Sequence, residues 1–180
     1  MTEPSHTHRV FLGLVPDSAS RQRLAMMART LADTAGEPRW VPSRNYHLTL
    51  RFFGHINLSR LTELKDALNP LFDSFETPLD SKVLDVRAFP SPSSRILACT
   101  MEGNHQLRCL AENARDASAG IAGEDRLAFK PHVTMARLKS PQRVCIAIAD
   151  FTVRFNRLSL FQSHADCNGP RYEALAGTSV

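Results

Sequence analysis

Two short stretches constrain this chain more than any other feature, because they carry one pattern in different halves of it. His47-Leu48-Thr49-Leu50 is the first, and His132-Val133-Thr134-Met135 is the second. Both read as strands. Side chains on a strand alternate between faces, so His47 and Thr49 point one way, roughly 7 Å apart along the chain, and Leu48 and Leu50 point into a core. The second copy repeats the arrangement with His132 and Thr134 outward. Two imidazoles, each with a hydroxyl two residues on, have the makings of a divided acid–base site. A fold that explains both copies has to bring the two strands together.

The chain of 180 residues is most simply one domain spanning 1–180, long enough to bury a core. At 43% hydrophobic and 22% charged residues it falls in the globular range. No apolar run approaches the length of a membrane span. The segment from Met1 to His8 is polar and lacks the apolar core of a signal peptide. No membrane association is expected, and a cytoplasmic location is the default. Cys99, Cys109, Cys145 and Cys167 form no close C-x-x-C pair, which argues against a zinc ribbon or redox motif; all four are expected as reduced thiols, mostly in packing roles. The net charge of +4 fits a polyanionic ligand and carries little weight alone.

Periodicity places the elements. Val10, Leu12 and Leu14 alternate in a strand over 8–15 that Pro16 stops. Asp17 or Ser18 caps a helix with Leu24, Met27, Ala28 and Leu31 inward, ending near Gly36. Pro38 and Pro42 bracket a turn around Trp40. The first motif strand runs over 46–53 and is ended by Gly54. Ser59 is a candidate cap for a helix buried through Leu61, Leu64, Leu68, Leu71 and Phe72. Strands follow over 77–89, with imperfect alternation, and over 95–101. Asn104 opens a helix with Leu107, Leu110, Ala111 and Ala114 inward. Leu127 and Phe129 lead through Pro131 into the second motif strand, 132–138. The stretch 144–148 fits a short helix or a strand. A strand over 151–162, a turn at Asn168-Gly169-Pro170 and a short strand over 172–175 complete the order. Helices and strands alternate early and strands dominate late, which predicts an α+β fold rather than a doubly wound parallel sheet. One motif in each half fits two lobes related by a rough two-fold.

Hydrolysis of a phosphodiester needs a base to activate water and an acid to protonate the leaving oxygen. Imidazole serves either role near neutral pH, each typically for about 10²–10⁴-fold in rate. Charge gathers on the phosphoryl oxygens, and the Thr49 and Thr134 hydroxyls are suited to meet it. This scheme needs no metal and no cofactor. A metal site on His47 or His132 is disfavoured, since neither has a ligand at short spacing. The remaining histidines (His6, His8, His55, His105 and His164) read as surface or incidental. No G-x-S-x-G, P-loop or G-x-G-x-x-G is present.

The contexts Trp40-Val41-Pro42, Asn45-Tyr46-His47-Leu48-Thr49-Leu50-Arg51-Phe52-Phe53-Gly54 and Phe129-Lys130-Pro131-His132-Val133-Thr134-Met135-Ala136-Arg137 closely resemble the two-histidine (2H) phosphoesterase superfamily. Within it, the chain is similar to the RNA 2′,3′-cyclic phosphodiesterases, also called 2′-5′ RNA ligases. The resemblance implies a bilobal α+β fold, with two antiparallel sheets facing across a central groove, helices packed outside and a pseudo-two-fold. It implies opening of a terminal 2′,3′-cyclic phosphate to a 2′-phosphate, with His47 as acid and His132 as base, although the residues themselves do not distinguish the two roles. Thr49 and Thr134 would hold the phosphate. It also implies groove positions for Phe52, as a base-stacking platform, and for Arg137, as a phosphate ligand. Strict alternation puts both on the face opposite the histidines and gives Arg51 the His47 face; a strand bulge would restore them. The expected partners are RNA ends or small cyclic nucleotides, and a monomer is expected. Two other functions are compatible: a nucleotide or RNA-end binding module without catalysis, and reversible 2′-5′ ligation in the same groove.

Overall fold

Strand β1 (Thr7–Pro16) is buried almost continuously from Val10 onward, because Val10, Leu12 and Leu14 face the main core while Phe11 and Val15 join a smaller cluster with Phe161 on the other face. The structure is a computed structural model describing residues 7–32, 38–123, 128–148, 150–167 and 169–178. The expected helix end near Gly36, as well as His6, Leu127 and Asn168, lie outside the described residues.

Helix α1 (Ser18–Ala32) starts where the Asp17 carboxylate accepts from the Ser20 amide at 2.7 Å, and it buries Leu24, Ala28 and Leu31. Trp40 belongs not to a turn but to a two-residue strand, β2 (Arg39–Trp40), followed by a 3₁₀ turn at Ser43–Asn45. Strand β3 (Leu48–Asn57) runs through Gly54, which takes φ +78° and does not end it. Helix α2 (Leu58–Asp73) is capped by Asn57, not Ser59: the Asn57 side chain accepts from the Arg60 amide at 3.0 Å. Its buried face is Leu61, Leu64, Leu68, Leu71 and Phe72, as the spacing predicts.

The chain continues through β4 (Leu79–Ala88), β5 (Ile96–Met101), α3 (His105–Ala117, capped by Asn104), β6 (His132–Arg137), β7 (Cys145–Ala147), β8 (Thr152–His164) and β9 (Arg171–Gly177). The imperfect alternation in β4 has a cause: Val83 pairs with Met101 and Asp85 with Thr100, which leaves Leu84 as an extra, exposed residue. The stretch around Ile146 is a strand, paired with β4. Of the cysteines only Cys99 is buried; Cys145 and Cys167 are exposed, so packing accounts for fewer of them than expected.

The fold is α+β and its strand pairings are antiparallel, with strand order β7-β4-β5-β6-β3-β1-β8-β9 and β2 added beside β6. The halves do not form two detached sheets. They join at one pair between the motif strands, Leu48 with Val133, and again where Leu79–Lys82 of β4 pairs with β8. Leu48, Val133 and Met135 lie in one core with Leu24 of α1, Leu64 of α2 and Leu107 of α3, so the helices cover the face opposite the motif histidines. No helix among the described residues is long and apolar enough to cross a membrane.

Candidate active site

The pairing of Leu48 with Val133 sets the geometry. Extending this antiparallel register by one residue each way puts His47 across from Thr134 and Thr49 across from His132. The four motif residues thus form a rectangle on one face, with imidazoles at opposite corners.

Each imidazole is held in the same way. Nδ1 of His47 donates to the Asn45 carbonyl at 2.7 Å, and Nδ1 of His132 donates to the Lys130 carbonyl at 2.7 Å. In both cases the acceptor lies two residues upstream, just before the strand: Asn45 closes the 3₁₀ turn and Lys130 precedes Pro131. Spending Nδ1–H on a backbone carbonyl fixes the tautomer and leaves Nε2 for chemistry. Each ring also leans on a phenylalanine. Phe11 of β1 lies 4.7 Å from His47, and Phe89, just after β4, stacks on His132 at 4.0 Å between centroids. His47 is further enclosed by Tyr172, edge-on at 5.0 Å. Gly13 leaves room for this enclosure, since a Cβ there would sit 3.5 Å from the His47 ring and 3.2 Å from the Leu48 carbonyl.

Burial lowers both imidazoles. His47 is brought to about 4, mainly by desolvation and further by the neighbouring His132, against the opposing pull of the Asn45 carbonyl. His132 is lowered by desolvation, against the pull of Lys130. Both shifts favour the neutral ring.

The motif strands also share a defect, and it settles where the residues beyond them point. In β3, Leu12 pairs with Arg51 and Gly13 with Thr49, so Leu50 is an extra residue. In β6, Leu97 pairs with Ala136 and Ala98 with Thr134, so Met135 is extra. Each bulge falls on the fourth residue of H-x-T-x. Both residues after the threonine become buried (Leu50 and Arg51; Met135 and Ala136), and the next one returns to the histidine face. Phe52, 43% exposed, and Arg137 accordingly line one cleft with His47, Thr49 and Thr134. Arg51 does not share the His47 face: it is 3% exposed and donates to the Gly123 carbonyl at 2.9 Å. His132 stands beside this cleft rather than among its lining residues.

Sequence reasoning missed several groups. Arg9, Phe11, Arg39, Trp40, Ser163 and Tyr172 also line the cleft. They come from β1, β2, β8 and β9; the family resemblance extends over Phe11, Trp40 and Ser163, but no role in the site was expected of any of the six. Asn45 was present in the motif context but its double use was not visible. Its carbonyl orients His47, while its side chain donates to the Pro170 carbonyl at 2.8 Å and so ties down the loop before β9. Among the described residues, no group of three or more His, Cys, Asp or Glu is placed to hold a metal ion.

Two paired, equivalently framed H-x-T-x strands on an antiparallel α+β scaffold define a class of phosphoesterase, and comparison with known proteins agrees. The family model described as LigT-like phosphoesterase matches residues 14–100. An RNA 2′,3′-cyclic phosphodiesterase of Aquifex aeolicus is 30% identical over 91% of this chain and 93% of its own. The fold is similar to that of TT0787 of Thermus thermophilus, with a TM-score of 0.80 at 23% identity over 94% of this chain and 96% of that one. It is also similar to E. coli LigT complexed with 3′-AMP, with a TM-score of 0.76 at 17% identity over 96% and 97% of the two chains. The chain belongs to the LigT-like phosphoesterase family of the 2H superfamily.

Proposed function

We propose that this protein hydrolyses terminal 2′,3′-cyclic phosphates, on RNA or on nucleotides, to 2′-phosphates by metal-independent His/His acid–base catalysis, with residues 1–180 acting as one domain. The supporting observation is the matched framing of His47 and His132, each with Nδ1 spent on the carbonyl two residues upstream, about a single pair of bridged residues. Family members carry the name RNA 2′,3′-cyclic phosphodiesterase, and the similar E. coli LigT has been captured with 3′-AMP.

A cyclic phosphate between the imidazoles would receive the Thr49 and Thr134 hydroxyls on its non-bridging oxygens, with Arg137 balancing its charge. His132, neutral, takes a proton from water at Nε2. The resulting hydroxide attacks phosphorus, the bond to the 3′ oxygen breaks, and His47 gives that oxygen its proton. The 2′ ester survives. Burial alone keeps His47 neutral, so its acid role depends on the substrate: the phosphate anion opposes the desolvation that lowers it and favours the imidazolium. Phe52 offers a face on which the terminal base stacks. The protein acts as a cytoplasmic monomer on RNA ends or small cyclic nucleotides.

Product analysis tests this. An RNA ending in a 2′,3′-cyclic phosphate, incubated with the protein, yields a terminal 2′-phosphate, and EDTA leaves the rate unchanged. A 3′-phosphate product would reverse the leaving-group assignment, and an inert cyclic end would overturn the reading.

A further inference from the structure

We infer that the cleft holds a second phosphate-binding subsite, formed by Arg39 and Arg9, that takes the phosphate on the 5′ oxygen of the terminal ribose. The substrate class is then a nucleotide with phosphate at both ends, most simply the last residue of an RNA chain. This rests on the hydrolytic reading above for the position of the first phosphate.

The register supplies the first observation. Arg39 of β2 pairs directly with Arg137 of β6, so both side chains leave the same face. Directly opposed residues in an antiparallel pair have Cβ atoms about 4.5–5.5 Å apart, and like charges there repel. Arg9 approaches from β1, with its guanidinium 4.9 Å from the Phe52 ring centroid. All three arginines line the cleft with His47 and Thr49, and all three also line its outward continuation past His55, Ser163 and His164. Arg9 and Arg137 both pull down the Tyr172 phenol, which burial otherwise raises, so their charges converge at that ring. Among the described residues none of the three is in an ion pair.

Charge counting supplies the second. A cyclic phosphodiester carries one negative charge. Arg137 answers it, and Arg39 and Arg9 are left facing the same space. Asp166 is the carboxylate lining the outer part.

The third observation is the loop that passes beside Arg39, whose side chain is exposed at the cleft. The loop before β9 passes against it at Gly169, where φ is +115° and an added Cβ would sit 3.2 Å from Nη2. The same loop is tied through the Pro170 carbonyl to Asn45, whose own carbonyl orients His47. The loop beside the arginine is therefore tied to the residue that frames the histidine. With Arg9 over the Phe52 ring, a nucleotide held against the free face of that ring lies beside the arginines. Phosphate contacts of this kind position a chain without reading its sequence.

Three substrates test it: adenosine 2′,3′-cyclic phosphate, the same compound with a 5′-phosphate, and a diribonucleotide ending in the cyclic phosphate. The wild-type protein prefers one or both of the doubly phosphorylated substrates by roughly 10–100-fold in kcat/KM. Preference for the monoester or for the diester identifies which source of 5′ phosphate the subsite takes. Arg39→Ala and Arg9→Ala each remove most of this preference through KM, lowering kcat/KM on the doubly phosphorylated substrates more than on the simple cyclic nucleotide. Equal kcat/KM on all three substrates, or equal loss on all three in the variants, overturns the subsite. If none is turned over, the hydrolytic reading fails and calorimetry still decides the subsite. Tighter binding of adenosine 3′,5′-bisphosphate than of 3′-AMP, lost in Arg39→Ala, upholds it; equal affinities reject it.

Discussion

His47 and His132 have the same backbone frame and different surroundings. His47 is walled by Phe11 and Tyr172, with Phe161 at 6.4 Å, and burial takes it to about 4. His132 has Phe89 on one side and stands at the edge of the cleft. An identical local motif thus supplies the geometry of both imidazoles, and the neighbouring strands set their protonation separately. Acid and base roles need that separation, because two equivalent imidazoles have no reason to divide one proton transfer in a fixed direction.

The largest expected effects break the pair. His47→Ala and His132→Ala each lower kcat on a 2′,3′-cyclic nucleotide by roughly 10²–10⁴-fold, while circular dichroism and Tm stay close to wild type. Full activity in either variant would sink the paired mechanism. Thr49→Val and Thr134→Val remove one donor each and lower kcat by about 10²-fold, measurable in the same assay. Beyond the bulge, Phe52→Ala raises KM by roughly tenfold through lost stacking, with stability little changed. Arg51→Met does the opposite: its urea midpoint falls, since the Gly123 carbonyl loses its buried donor, and KM holds. If Arg51→Met raised KM and Phe52→Ala did not, the bulge would have been misassigned to the site.

The smallest effect sharpens the electrostatic difference. A histidine whose folded value lies below its unfolded value of about 6.5 favours the unfolded state once protons bind. For His47 the folded value is about 4. Its contribution is complete above pH 6.5 and is lost as pH falls toward 4, by roughly 3 kcal/mol at most. His47→Gln therefore flattens the stability profile between those pH values in urea titrations, and His132→Gln flattens it in the same direction.

The α+β class and the buried faces of α2 and α3 were legible in the sequence because helical spacing is local. The motif residues were legible because the pattern occurs twice. Other features depended on partners far along the chain. The fate of Arg51 and Phe52 turns on whether Leu50 has a mate on β1, and a period of two cannot register an unpaired residue. Gly54 reads as a strand end by composition, yet the ladder with β1 carries the strand through it. Ser59 is the cap expected from the sequence and Asn57 caps instead, because both types cap well and only geometry chooses between them. Phe11, Arg9 and Arg39, in strands, and Phe89, just after one, reach the histidines only after the chain has folded.

The lone bridge between Leu48 and Val133 has a mechanical consequence. A long ladder would clamp the motif strands at a fixed separation, but one pair leaves that separation to the second seam between β4 and β8 and to the shared core. Under the proposed mechanism, the gap that a proton must cross on each side of the phosphate is then set by that seam and the core. The proposed activity would then serve as a strain gauge: in rising denaturant the rate falls before the bulk of the secondary structure melts, as the seams between the halves loosen.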